Sequence, residues 1–216
     1  DNHIFVATSN GINEVNIKSF LVTPDKFNYF LNTAIYDLKV ARDQSYYVCT
    51  ENNNNDEYLT LPDCYSNCKN ECNKKEVDYL FVASHKGISR VNLMSNEVVL
   101  LSSMLFNQIE FQDNHLYCLG KDGIFKLDTN NLKSKLKKIV LNNNIRNFNL
   151  LDNYLWINLV NRARLIDLHN NESWYYSYKD GIQGRNIYTI GSDKDWVWFM
   201  TKEGVSLYNW ERYHAN

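Results

Sequence analysis

Five stretches of this chain share one alternation of apolar and polar positions. Laid without gaps they are HIFVATSNGINEVN from His3, YLFVASHKGISRVN from Tyr79, HLYCLGKDGIFKLD from His115, YLWINLVNRARLID from Tyr154 and WVWFMTKEGVSLYN from Trp196. Each is an apolar run, a short polar break and a second alternating run, which predicts two antiparallel strands joined by a tight hairpin. Four copies place glycine and a β-branched residue after the break, at Gly11-Ile12, Gly87-Ile88, Gly123-Ile124 and Gly204-Val205. Glycine there supplies the positive φ that such a turn asks for. All five copies end on Asn or Asp: Asn16, Asn92, Asp128, Asp167 and Asn209.

Further strands follow from the gaps. An apolar run closing on an acid precedes the later hairpins (NQIEFQD, RNFNLLD, IYTIGSD), and a more polar run follows several of them (EVVLL, LKKIVL, SWYYSY). Each copy therefore reads as a four-stranded antiparallel meander. The starts at Tyr79, His115, Tyr154 and Trp196 lie 36, 39 and 42 residues apart, too far for a lone hairpin and suited to a four-stranded blade. In the first strand of each hairpin, Ile4/Val6, Leu80/Val82, Leu116/Cys118, Leu155/Ile157 and Val197/Phe199 face one way. The opposite face is also apolar or small, at Phe5/Ala7, Phe81/Ala83, Tyr117/Leu119 and Trp198/Met200. A strand apolar on both faces belongs to a sheet covered on both sides.

The predicted fold class is all-β: a β-propeller of four-stranded antiparallel blades, five or six of them in this chain, closed here or part of a larger propeller. One domain is expected over residues 1–216. Residues 33–78 form the irregular copy. AIYDLKVARDQSYYVCT repeats the grammar of first strand, acid and second strand, with Asp43 at the acid place. A Cys/Asn-rich insertion at about 51–76 then replaces the usual hairpin and exit. The first copy lacks an innermost strand.

At 216 residues the chain can bury a sizeable core. Its net charge of −2 comes from interspersed acids and bases, so no basic stripe points to nucleic acid or an anionic membrane. No apolar run reaches the roughly 18–20 residues of a spanning helix, so no membrane insertion by this chain is expected. Residue 1 opens on a strand-like phrase rather than a signal peptide, as in a mature or trimmed soluble piece. The 14% aromatic content, with two prolines, favours strands. Abundant Asn between the runs is turn chemistry, and a biased genome accounts for the excess equally well.

Cys49, Cys64, Cys68 and Cys72 fall close together, three at spacing i, i+4, i+8. On a helix that spacing stacks thiols as metal ligands, but the segment has no C-x-x-C pair and no His. Disulfides stapling a long insertion fit better and place the protein in an oxidising compartment. Cys49 takes the repeat place of Ala7 and Ala83, where a small buried thiol also fits. Cys118 aligns with Val6 and Val82 as a core residue.

No nucleophile elbow, phosphate loop or H-E-x-x-H is present, and GIQG at Gly181–Gly184 lacks the third glycine of a dinucleotide fingerprint. Neither enzyme activity nor a cofactor is expected. On a propeller, ligands meet the loops between second and third strands and the junctions between blades. Those loops supply His85, Lys121, Asp122, Arg162 and Lys202, with Asn10, Lys86, Asn161 and Glu203 beside them, and a junction supplies Arg185 and Asn186. The fourth copy departs from the shared grammar, with Arg162 at the glycine place and Arg164 two residues on. Guanidinium groups there suit a carboxylate, sulfate or phosphate; a longer loop with two solvated arginines is the plainer alternative.

KDGIQGRNIYTIGSDKDWVWFMTKEGVSLYN, residues 179–209, resembles the repeat of the two-component regulator propellers, sensor modules of bacterial hybrid histidine kinases. The resemblance is carried by Asp180-Gly181, by Asn186-Ile187 opening the inner strand, by Asp193 and Asp195 before an aromatic strand, and by Gly204-Val205. It is looser over the copies from Tyr79 and His115 and poor over 33–78. The Gly-His to Trp-Asp phrase of WD40 repeats and the double glycine of kelch repeats are absent. The resemblance implies an extracytoplasmic sensor or binding domain (periplasmic, cell-surface or secreted), with no catalyst. Its partner at the loop end is a small molecule or glycan, or another protein. A structural or protein-interaction propeller of a secreted or cell-surface assembly is the alternative, with the cysteine-bearing insertion as its docking element.

Overall fold

The structure is a computed structural model that describes residues 3–49, 72–131, 134–193, 195–210 and 212, with 43–49 and 72–76 described by their backbone. The described residues form five antiparallel sheets, each a meander in chain order. Sheet A holds β1 (His3–Ala7), β2 (Ile12–Asn16) and β3 (Val22–Thr23). Sheet B holds β4 (Ile35–Cys49), β5 (Cys72–Ser84), β6 (Gly87–Asn92) and β7 (Val98–Ser102). Sheet C holds β8 (Phe106–Gln112), β9 (His115–Gly120), β10 (Gly123–Asp128) and β11 (Lys137–Leu141). Sheet D holds β12 (Asn147–Leu151), β13 (Tyr154–Asn158), β14 (Ala163–Asp167) and β15 (Ser173–Tyr176). Sheet E holds β16 (Ile187–Asp193), β17 (Trp196–Thr201) and β18 (Gly204–Asn209). Two compact units result: Asp1–Lys121 with Phe125–Lys138, and Asp122–Ile124 with Ile139–Asn216.

The hairpins form where the repeat places them, with Gly11, Gly87, Gly123 and Gly204 all at positive φ. At Gly87 (φ +112) a Cβ would stand 2.0 Å from the Ser102 carbonyl oxygen, so both backbone angle and space demand glycine. The hydroxyl at the sixth place ties the turn. Thr8 Oγ1 donates to Gly11 O (2.8 Å), Ser84 Oγ to Gly87 O (3.3 Å) and Thr201 Oγ1 to Gly204 O (3.2 Å). The closing Asn or Asp also acquires a reason. Asn16 Oδ1 accepts from the Lys18 and Ser19 amides, Asn92 Oδ1 from Met94 and Ser95, Asp128 Oδ1 from Asn130, Asp167 Oδ1 from His169 and Asn209 Oδ1 from Arg212. Such side-chain turns satisfy backbone donors as the third strand ends.

In the first unit, β5 is packed on both faces. Leu80 and Val82 join Ile12, Phe27, Phe30 and Val91 on one side. Phe81 and Ala83 join Phe106, Ile109, Leu116 and Cys118 on the other. The second unit is centred on Trp156, fully buried with Leu165, Ile187, Ile190, Val197 and Phe199 around it. Inner strands of neighbouring sheets are tied by repeat-equivalent polar side chains. The Ile109 amide donates to Asp37 Oδ2 (2.9 Å) and Lys39 Nζ pairs with Glu110 Oε1 (3.0 Å) between sheets B and C. Asn147 Nδ2 donates to Thr189 Oγ1 (2.7 Å) and Ser192 Oγ bonds Asn149 Oδ1 between sheets D and E.

Three expectations are corrected. Residues 35–49 are one continuous strand, so Asp43 is not a turn acid but lies at a bulge between Ala41 and Gln44. Residues 35–49 and 72–78 accordingly belong to sheet B, and Cys49 pairs with Cys72 instead of taking the place of Ala83. Sheet A shows three strands, in keeping with the innermost strand that the first copy lacks, and sheet E shows three among the described residues, most positions after Trp210 lying outside them. Burial on both faces fails at β1 and β17: Ile4 and Val6 are 52% and 40% exposed, and Met200 is 45% exposed. Lateral pairing does not decide this, since β17 lies between β16 and β18; a face is buried only where a second layer packs over it.

Candidate functional site

The fourth copy breaks the turn rule, and its geometry shows how the hairpin closes without glycine. Leu159 replaces the capping hydroxyl, and buried Asn158, one residue earlier, takes over: its Oδ1 accepts from the Val160 amide (2.9 Å). Val160 sits at φ +73, a left-handed conformation that a β-branched residue rarely adopts. The Leu159 amide closes the loop on Arg162 O (2.9 Å).

This loop is joined to the segment entering β16. The Ile187 amide donates to Val160 O (2.6 Å), and Ile187 O accepts from Asn158 Nδ2 (3.2 Å) and from Arg146 Nη1 (3.4 Å). The peptide of Ile187 thus gathers three segments of the second unit, bearing Arg146, Arg162 and Arg185. Arg162 stacks over Tyr175 at 4.6 Å, Arg164 approaches the same ring at 5.7 Å, and Arg185 lies over Tyr178 at 5.2 Å. Arg146 stands 6.0 Å from the ring of Tyr188, itself half exposed on β16. Stacking on a ring face holds a guanidinium by its π surface and leaves its N–H edge for a bidentate anion. Glu203 and Gln183 border the junction: a Cβ on Gly184 would overlap the Glu203 carboxylate, and Thr201 Oγ1 donates to Gln183 O (2.5 Å).

The sequence-predicted residues divide as follows. Arg162, Arg185 and exposed Asn186 belong to this junction, and Lys202 lies exposed in the β17–β18 turn beside Glu203. Arg164 turns to the outer strand, where its Nη2 donates to Ser173 Oγ (3.3 Å). In the first unit His85 is exposed in the β5–β6 turn, its amide donating to Ala34 O (3.1 Å). Its neighbour Lys86 is engaged with Tyr29, donating to the carbonyl (2.6 Å) beneath a cation–π contact. Lys121 and Asp122 are exposed in the β9–β10 turn. Cys64 and Cys68 lie outside the described residues, and Cys49 and Cys72 are described by backbone only. Cys118 is fully buried in the core, where burial pushes its thiol pKa well up.

Sequence reasoning missed Arg146 and Tyr188. The signal available was position: Tyr188 follows Asn186-Ile187, and Arg146 stands at the equivalent opening of β12. The first unit also holds a cavity of about 210 Å³ lined by none of the predicted residues, with Glu14 in its wall bonded to Lys26 (2.7 Å) and His3 (3.2 Å). Among the described residues no helix is long and apolar enough to cross a membrane.

No protein-family model and no curated protein matches the chain. Solved structures do. The extracellular domain of a protein described as the hybrid two-component system BT3049 of B. thetaiotaomicron matches at TM-score 0.59 and 15% identity, over 98% of this chain and 26% of that one. The corresponding domain of BT4673 from the same organism matches at TM-score 0.60 and 12% identity, over 96% and 26%. PorZ, a surface component of the type-IX secretion system of Porphyromonas gingivalis, matches at TM-score 0.58 and 11% identity, over 97% and 24%. The chain spans about a quarter of the length of these structures. The two-component resemblance of residues 179–209 is matched at the level of the fold by extracellular domains of that kind.

Proposed function

We propose that the chain is a run of propeller blades serving as the non-enzymatic binding part of an extracytoplasmic receptor, with an anionic ligand taken at the Ile187 junction. The observation that carries this reading is the joining at Ile187 of the segments that bear Arg146, Arg162 and Arg185, with the Arg162 loop held at a strained φ at Val160 beside buried Asn158. Strain maintained by a buried polar side chain is the signature of a preorganised site. The fold likeness supports the blade arrangement, and the extracellular origin of the matching domains supports the location.

Thermal shift with small dicarboxylates, inorganic sulfate and phosphate, and sulfated oligosaccharides tests the site. Stabilisation that Arg162→Ala and Arg185→Ala both abolish is expected, with Arg146→Ala weakening it. No shift with any probe, or equal shifts in the variants, removes the arginine site. A second reading, a protein-interaction propeller of a surface assembly, is favoured by the likeness to PorZ. The two readings part on what the gene encodes beyond these residues: a membrane span followed by a kinase supports the receptor, and an export signal without one supports the assembly.

A further inference from the structure

We propose that Cys49 and Cys72 are joined by a disulfide that fastens the far end of the β4–β5 ladder. The two strands pair from Ile35 opposite Ser84 to Cys49 opposite Cys72, the last rung among the described residues. Directly opposed residues of an antiparallel pair stand with Cα atoms about 4.5–5.5 Å apart, inside the roughly 4.4–6.8 Å that a disulfide spans. The register is unbroken over the approach: Gln44–Val77, Ser45–Glu76, Tyr46–Lys75, Tyr47–Lys74 and Val48–Asn73 precede the cysteine rung. Slipping by one residue would set Cys49 against Asn73 and turn the two cysteines to opposite faces.

The local architecture gives the bond a task. β6 pairs with β5 only from Tyr79 to Ser84, so the rungs from Gln44 to Cys49 lie beyond the third strand of sheet B. An isolated two-stranded ladder is marginal in water. A covalent rung at Cys49 shortens the free loop of the unfolded chain and holds both strands in register beyond the described reach of the third strand.

The bond forms when both thiols lose their protons and two electrons pass to an oxidant disulfide, such as that of oxidised glutathione or a thiol oxidase, which is reduced to two thiols. The inference rests on the extracytoplasmic reading for that oxidant. The test is peptide mapping of exported protein, alkylated with iodoacetamide without reduction, digested and analysed by mass spectrometry. A peptide holding Cys49 linked to one holding Cys72, separated by reductant, is expected. The same link is expected in the Cys64→Ser/Cys68→Ser variant, where no other partner in the segment remains. Linkage of Cys49 or Cys72 to Cys64 or Cys68 overturns this pairing and leaves the oxidising compartment standing. Alkylated Cys49 and Cys72 in exported protein overturn the pairing outright. Neither result touches the arginine site, whose test uses no cysteine.

Discussion

Strands β1 and β5 carry nearly one phrase, HIFVA and YLFVA, in opposite surroundings. Leu80 and Val82 of β5 are fully buried, whereas Ile4 and Val6, at the same repeat places of β1, are about half exposed. β5 lies between β4 and β6 with packed sheets on both faces, and among the described strands β1 is bonded to β2 alone. Apolar letters state a capacity for burial, and neighbours decide whether it is used. The energetic weight of a residue is therefore set by its sheet and not by its place in the repeat.

Leu80→Ala and Ile4→Ala put that to the sharpest test by chemical denaturation. Removing a fully buried leucine costs about 2–5 kcal/mol, and the exposed isoleucine should cost within about 0.5 kcal/mol. Equal losses would break the comparison. Gly87→Ala against Gly11→Ala is the next step down. Both carry positive φ, but a Cβ at Gly87 runs into backbone at 2.0 Å, whereas at Gly11 its nearest neighbour is the Asp25 side chain at 3.0 Å. A loss of about 1–3 kcal/mol is expected at Gly87, and a smaller one at Gly11.

Asn158→Ala converts the fourth copy to the residue that Ala83 supplies in the second. It leaves the Val160 amide and Ile187 carbonyl without this partner, which should cost about 1–3 kcal/mol and speed hydrogen exchange at Val160. The smallest effect concerns the two kinds of tie between inner strands. Burial raises the Glu110 carboxyl pKa, with Lys39 opposing the rise. The folded state then binds its proton more tightly than the unfolded one. Its contribution to stability falls as pH rises from the usual glutamate range through the raised folded value. Glu110→Gln should flatten this slope, worth under about 1 kcal/mol for a partly exposed pair; the neutral Asn149–Ser192 tie should show none. An unchanged pH profile in the variant would assign the slope elsewhere.

The hairpins were legible because glycine and the alternation are local. So were their inner and outer strands, which NQIEFQD and SWYYSY mark by period alone. The ladder from Ile35 to Cys49 was misread because an acid amid apolar residues spells a turn in the other copies. Only pairing with 72–84 shows Asp43 at a bulge. At the candidate site, Arg162 stood out by departing from the repeat. Arg146 and Asn158 act through bonds to Ile187, 41 and 29 residues away in sequence, and no local pattern encodes such a meeting.

The carboxylate of Asp37, reaching the amide of Ile109, works as an indexing tooth. Because it engages one main-chain nitrogen rather than a greasy surface, sheets B and C cannot glide along each other by a notch without disengaging it. A chain assembled from near-identical modules invites mis-stacking, and a tooth of this kind sets the phase of one module against the next.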